Sequence, residues 1–260
     1  MTTSSNFPNE EIAPLHRESI VGAYFEQMHK VLDSEKEPNQ IELLFAHLLG
    51  SEYFIAILQT MLEIDRLCRE MQSVLKEFTG RDLLFGKLLT IEHLAIAMKL
   101  YVISWSTLRD LLAYLINAVF NLGIADRDVK VHVVLNNSHV KSSRIPQILQ
   151  ESENTLLIKD LQRKRNDLVH RGRIPDDDIE QILRERNTID SRRYSLLKAN
   201  PISEEEYKRQ ISLLQEKLSA LAKEKQEIWG KHHQRTIAMI SEIAGELVLK
   251  TIDLYKKQAI

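Results

Sequence analysis

The chain has 260 residues, 43% hydrophobic and 28% charged, which suits one large domain or two small ones with a sizeable core. A net charge of −2 supplies no global basic field, so any nucleic-acid site must be a local patch. Eight Gly and six Pro favour long helices over strands joined by tight turns, and a single Cys rules out an intramolecular disulfide and a Cys-based zinc site.

Residues 1–8 read as a tail, polar and acidic rather than signal-like. Ile12, Leu15, Ile20, Ala23, Tyr24, Met28 and Leu32 have helical spacing, predicting a helix over 9–33 that is regular only after Pro14. Residues 34–40 form a loop and 41–49 a short apolar helix. Ser51 is placed to cap a helix over 52–78, whose stripe runs Ile55, Leu58, Leu62, Ile64, Leu67 and Met71. Cys68 in that helix reads as a reduced core thiol. The longest apolar element spans 90–122, opened by Glu92 and His93 as capping or packing groups, with Trp105 in the core and Gly123 as C-cap. Lys99, Arg109, Asp110 and Asn117 interrupt it, so it reads as the central helix of a soluble protein and not as a membrane span.

Residues 124–144 are valine-rich, with alternation and an Asn136-Asn137 turn signal, and predict a short hairpin or an irregular loop. A helix over 154–171 stops at Gly172 with Pro175 beyond, and Asp176, Asp177 and Asp178 open the next, over 176–198. Asn200-Pro201 marks a turn, after which Ser203 and Glu206 have capping-box spacing. From 203 to 257 two apolar registers appear, Tyr207–Ile228 and Ile237–Leu254, out of phase by two residues near Trp229-Gly230. Either one long helix shifts its buried face there or a hairpin turns there. Residues 176–229 read as a helical arm supporting dimerisation, or as an antiparallel pair within one monomer. The expected fold is an all-α helical bundle with a long helical arm or hairpin. It divides into an N-terminal helical region, 1–89, and a bundle, 90–260, with 176–230 as its extension.

The segment with most chemistry is RKRNDLVHRGR, 163–173. On a helix Arg163, Asn166 and His170 share a face, and Arg165 lies about 100° away with reach toward the same region. Leu157, Leu161 and Leu168 point to the core. Histidine moves protons near neutral pH, arginine holds phosphate and stabilises charge developing on phosphorus, and asparagine orients either. This set suits metal-independent RNA cleavage by attack of a ribose 2′-OH, with Arg163, Lys164, Arg171 and Arg173 as backbone-binding cations.

Arg165-Asn166-Asp167-Leu168-Val169-His170 resembles the R-x(4–6)-H motif of HEPN domains, including the polar residue after the arginine. The resemblance covers about 90–257 and implies an all-α bundle with the motif at a helix end. It further implies a metal-independent endoribonuclease of toxin–antitoxin or antiviral-defence type, with two motifs forming one site in a homodimer. By resemblance Arg165 and His170 are catalytic and Asn166 supportive. Arg163 competes for the arginine position. Arg127–His132 also fits the spacing but lies in the valine-rich segment rather than at a helix end.

Other candidates are weaker. His232 and His233 are adjacent and point to different faces, which does not suit metal ligation. Arg192-Arg193-Tyr194 reads either as a nucleic-acid contact or as a solvated face. The expectations are therefore a cytoplasmic protein acting on RNA without cofactor or metal, as a homodimer or with an antitoxin or other protein partner, and away from membranes. The alternative is a noncatalytic all-α module that binds RNA, a nucleotide or a protein.

Overall fold

The computed structural model describes residues 19–33, 52–79, 90–153, 156–171, 176–194 and 201–258. The predicted segments over 1–8, 9–18 and 34–49 and the Ser51 cap lie outside them. Among the described residues 89% are helical and none forms a strand, so the fold is all-α. The helices are α1 (Ile20–Asp33), α2 (Glu52–Glu77), α3 (Ile91–Val119), α4 (Val131–Asn136), α5 (Ser138–Lys141), α6 (Ile145–Glu153), α7 (Leu156–Arg171), α8 (Asp177–Arg193) and α9 (Glu204–Gln258).

The 55-residue helix α9 is the spine, about 80 Å long at 1.5 Å per residue. α3 runs parallel to its C-terminal half: Tyr101 lies against Trp229 and His232, and the Lys250 ammonium sits 5.4 Å over the Phe120 ring. α2 runs the opposite way, since Tyr53 Oη donates to Val119 O at 2.9 Å and Gln226 donates to Leu75 O at 2.9 Å. α1 packs on α9 through Tyr24 Oη, which donates to Thr251 Oγ1 at 2.9 Å. Its N-terminus is held by Asp65 of α2, which accepts from the Ser19 hydroxyl at 2.6 Å and the buried Ile20 amide at 2.7 Å. A carboxylate aimed at unpaired first-turn N–H groups is favourable for both their hydrogen bonding and the helix dipole. Tyr24, Ile64, Leu94, Ile182 and Leu247 all belong to one hydrophobic cluster, so α1 and α2 share their core with the rest of the chain.

Four expectations change. The 124–144 segment contains no strand. It forms a 3-10 turn, Asp126–Asp128, followed by α4 and α5. Its buried valines are Val129, Val134 and Val140, whereas Val133 is exposed, so burial lacks the period of two a strand requires. Asn137 is not a hairpin turn but the N-cap of α5, accepting from His139 N at 2.9 Å. The long helix α3 stops at Val119, ahead of the expected boundary. Phe120 is its C-cap, and the chain reverses through Asn121 and Gly123 at φ of 50° and 67°. The helix from 176 extends to Arg193 with Tyr194 as C-cap, and residues 195–200 lie outside the described set.

The fourth change concerns Trp229-Gly230. α9 passes through without interruption, so the one-helix alternative holds and the hairpin does not. Its buried face runs Leu214, Leu218, Leu221, Ala222, Trp229, His232, His233, Thr236, Ile240, Ile243, Leu247 and Thr251. These positions stay within about a third of a turn, and buried Val248 and Ile252 widen the face toward the C-terminus. Between the two apolar registers the buried polar His232, His233 and Thr236 carry the face, and Ile228, counted in the first register, is 40% exposed. The first half of α9 pairs antiparallel with α8 within the monomer. Lys225 bridges to Asp178 at 2.8 Å, Lys217 to Glu185 at 2.8 Å, and Tyr207 Oη donates to Asp190 at 3.1 Å.

Candidate nucleic-acid interface

α7 presents two faces with different tasks. Leu161 is fully buried and Leu168 half-buried, and Lys164 lies between them in the same stripe. Lys164 is therefore not an exposed phosphate contact, contrary to its assignment from sequence. Its ammonium is buried, 3.3 Å from Asp176 and 3.5 Å from Asp160. Asp176 caps α8 by accepting from Ile179 N at 3.4 Å and also pairs with Lys225 at 3.1 Å. Burial opposes the Asp176 carboxylate, but Lys225, Lys164 and the Ile179 amide together hold its pKa below the ordinary value. Burial likewise opposes the Lys225 charge, which Asp178 and Asp176 more than restore. This cluster joins α7, α8 and α9, with Asp176 paired to Lys164 and Lys225 and Asp178 to Lys225.

The other face of α7 is open. Gln162, Arg165 and Asn166 line a cleft of about 700 Å3 between α7, α3 and the 129–135 segment. Arg165 Nη1 donates to Asn166 Oδ1 at 3.4 Å, which sets the two side chains together. Trp105, Ser106, Arg109, Asp110 and Tyr114 of α3 form a second side, with Arg109 stacked 5.2 Å over the Trp105 ring. Val129, Lys130, Val131, His132 and Leu135 form the third. His132 belongs to the second R-x(4–6)-H match, and that match is now seen to bring an imidazole to the same cleft as Arg165. Sequence reasoning set it aside because the segment looked β-prone; the segment is helical, and its turns aim Lys130 and His132 at the cleft.

His170 is exposed one turn beyond Asn166 on the same face, beside Val169 at 62% exposure, and does not line the cleft. Arg163 is exposed and pairs with Asp160 at 2.7 Å rather than joining Arg165. The Arg171 side chain and Arg173 lie outside the described residues. Arg193 stacks 4.1 Å over the Tyr207 ring and pairs with Glu204 at 3.1 Å, which ties the C-terminus of α8 to the N-terminus of α9.

Two further histidines are interior. His232 Nδ1 lies 3.0 Å from Tyr101 Oη, and burial, with His233 and Arg235, pushes its pKa down to about 4. Burial pushes His233 down to about 4 as well. His233 borders a water-sized cavity with Asp65, Cys68 and Arg69. The Cys68 thiol is buried and pushed up to about 12 by burial and by Asp65, which favours the thiol over the thiolate. Among the described residues no cluster of three or more His, Cys, Asp or Glu side chains gathers as a metal site, and no helix is long and apolar enough to cross a membrane.

Neither a protein-family model, a curated protein nor a solved structure matches the chain.

Proposed function

We infer that this protein acts on RNA through the open face of α7, as a metal-independent endoribonuclease of HEPN type. The observation that carries the reading is the placement of Arg165 and Asn166 in an open cleft rich in cations, with His170 exposed on the same helix face. In such a site the guanidinium holds the scissile phosphate and offsets the charge that builds on it. An imidazole takes the 2′-OH proton while the oxygen attacks phosphorus, and a proton returns to the departing 5′ oxygen, leaving a 2′,3′-cyclic phosphate. Two protomers apposed at the exposed ends of α7, around Val169 and His170, would supply two imidazoles for these two transfers.

A second reading, a noncatalytic RNA- or nucleotide-binding protein, is favoured by one observation: His170 lies outside the cleft that Arg165 and Asn166 line. Expression in a bacterial host separates the two. A ribonuclease slows growth as wild type and not as His170→Ala, whereas a binding module gives equal growth for both.

A further inference from the structure

The cleft has a second basic wall that the motif does not include. Lys130 precedes α4 in extended conformation, and His132 lies in the first turn of that helix. Both are exposed, and both face the cleft that Arg165 enters from α7. None of the three has a carboxylate partner among the described residues, whereas Arg163, Arg184, Arg193 and Arg209 all do. Lys130 on one side and Arg165 on the other, each without a carboxylate partner among the described residues, concentrate positive potential between them.

The rest of the lining selects the kind of anion. Tyr114, Val131 and Leu135, each half-buried, contribute apolar surface, and Asp110 places one carboxylate among the cations. A bare inorganic anion gains nothing from the apolar surface and is repelled by Asp110. A nucleoside phosphate uses all of it: phosphate toward Lys130 and Arg165, the planar base toward the apolar side chains, and a ribose hydroxyl donating to Asp110. The volume of about 700 Å3 falls in the range of roughly 300–1,000 Å3 typical of small-ligand sites. A base reaches such a cleft only when unstacked, which favours single-stranded RNA over a duplex.

We propose that Lys130 and His132 form, with Arg165 and Asn166, a two-walled subsite for one nucleoside-phosphate unit. That the unit belongs to an RNA strand rests on the function proposed above. The subsite itself rests on the cleft alone.

The test is fluorescence anisotropy with a labelled single-stranded oligouridylate in EDTA, in a His170→Ala background that keeps the probe intact. The Lys130→Ala/His132→Ala double variant is expected to bind about tenfold more weakly and to lower the salt slope by about one phosphate contact. Lys141→Ala, an exposed lysine away from the cleft, is expected to bind as the parent does. Thermal melts establish that the double variant is folded, and Lys130→Gln gives a milder charge removal in the same direction. Free UMP displacing the probe only weakly supports a strand as the source of the nucleotide; UMP binding as tightly as the oligomer supports the subsite and assigns it to free nucleotides. Unchanged affinity in the double variant, with loss in Arg165→Ala, overturns the second wall and leaves the RNA reading standing. No binding of either probe by the parent overturns both.

Discussion

The Lys164 ammonium lies 3.3 Å from Asp176 Oδ2, and both side chains are buried, at 7% and 5% exposure. The next residue, Arg165, is exposed in the cleft. Adjacent cations of one basic run thus have opposite duties, because a step of about 100° along a helix turns one toward the core and the other toward solvent.

Stability and function should separate across this pair. Lys164→Ala leaves Asp176 with Lys225 but removes a buried partner, and is expected to cost about 1–3 kcal/mol. Arg165→Ala, at an exposed position, is expected to stay within about 0.5 kcal/mol of wild type while weakening RNA binding. Urea denaturation of the two variants checks the first half, and anisotropy checks the second. Equal destabilisation by both would contradict the division of α7 into two faces.

Acid should weaken the fold through the interior histidines. His232 and His233 ordinarily titrate at 6.5 and are held near 4 in the folded chain, with Tyr101 beside the first and Asp65 and Arg69 near the second. Between these values the unfolded chain binds protons that the folded chain does not. Their effect on stability is therefore absent above about pH 6.5 and grows as pH falls toward 4, by up to about 3 kcal/mol for a single histidine. The two are coupled, so their effects do not simply add. Melting temperature measured from pH 7 to 4.5 should fall, and His233→Gln should flatten the decline. A decline of the same steepness in His233→Gln and wild type would sink this assignment.

Gly230 tests the continuity of α9. It sits inside the helix, and a Cβ built there meets nothing within 4 Å. Gly230→Ala should therefore stabilise the protein by about 0.5–1 kcal/mol, since alanine loses less backbone freedom in a helix. A hairpin turning at Gly230 on a left-handed backbone gives the opposite sign in the same thermal melt.

Much of the architecture was legible because its signal is periodic. The spans 52–78 and 90–122 correspond to α2 and α3 within a few residues, although Ile55 and Leu62 of the predicted stripe are exposed and Phe54, Ile57 and Met61 are buried in their place; Ser203 does cap α9, its Oγ accepting from Glu206 N at 3.1 Å. What failed was aperiodic or polar. His232, His233 and Thr236 carry the buried face of α9 between its two apolar runs, so a hydrophobic pattern leaves one helix or a hairpin open at Trp229. In the 129–140 segment one valine per short turn is buried, which an eye for alternation reads as a strand. The site was partly legible too. Arg165 and Asn166 share the cleft, and Lys164 keeps step with Leu161 and Leu168, a signal present in the sequence and outweighed there by its charge. The approach of Lys130 and His132 to α7 depends on how α4 packs against α3, which no local pattern encodes.

The most direct test of the account is cleavage of a single-stranded RNA by the purified protein in EDTA, with product ends resolved. Wild type should yield fragments ending in 2′,3′-cyclic phosphate. Rates should fall by about 10²–10⁴ in His170→Ala and by about 10²–10³ in Arg165→Ala. RNA left intact by the wild-type protein, or cut equally by all three proteins, would contradict it.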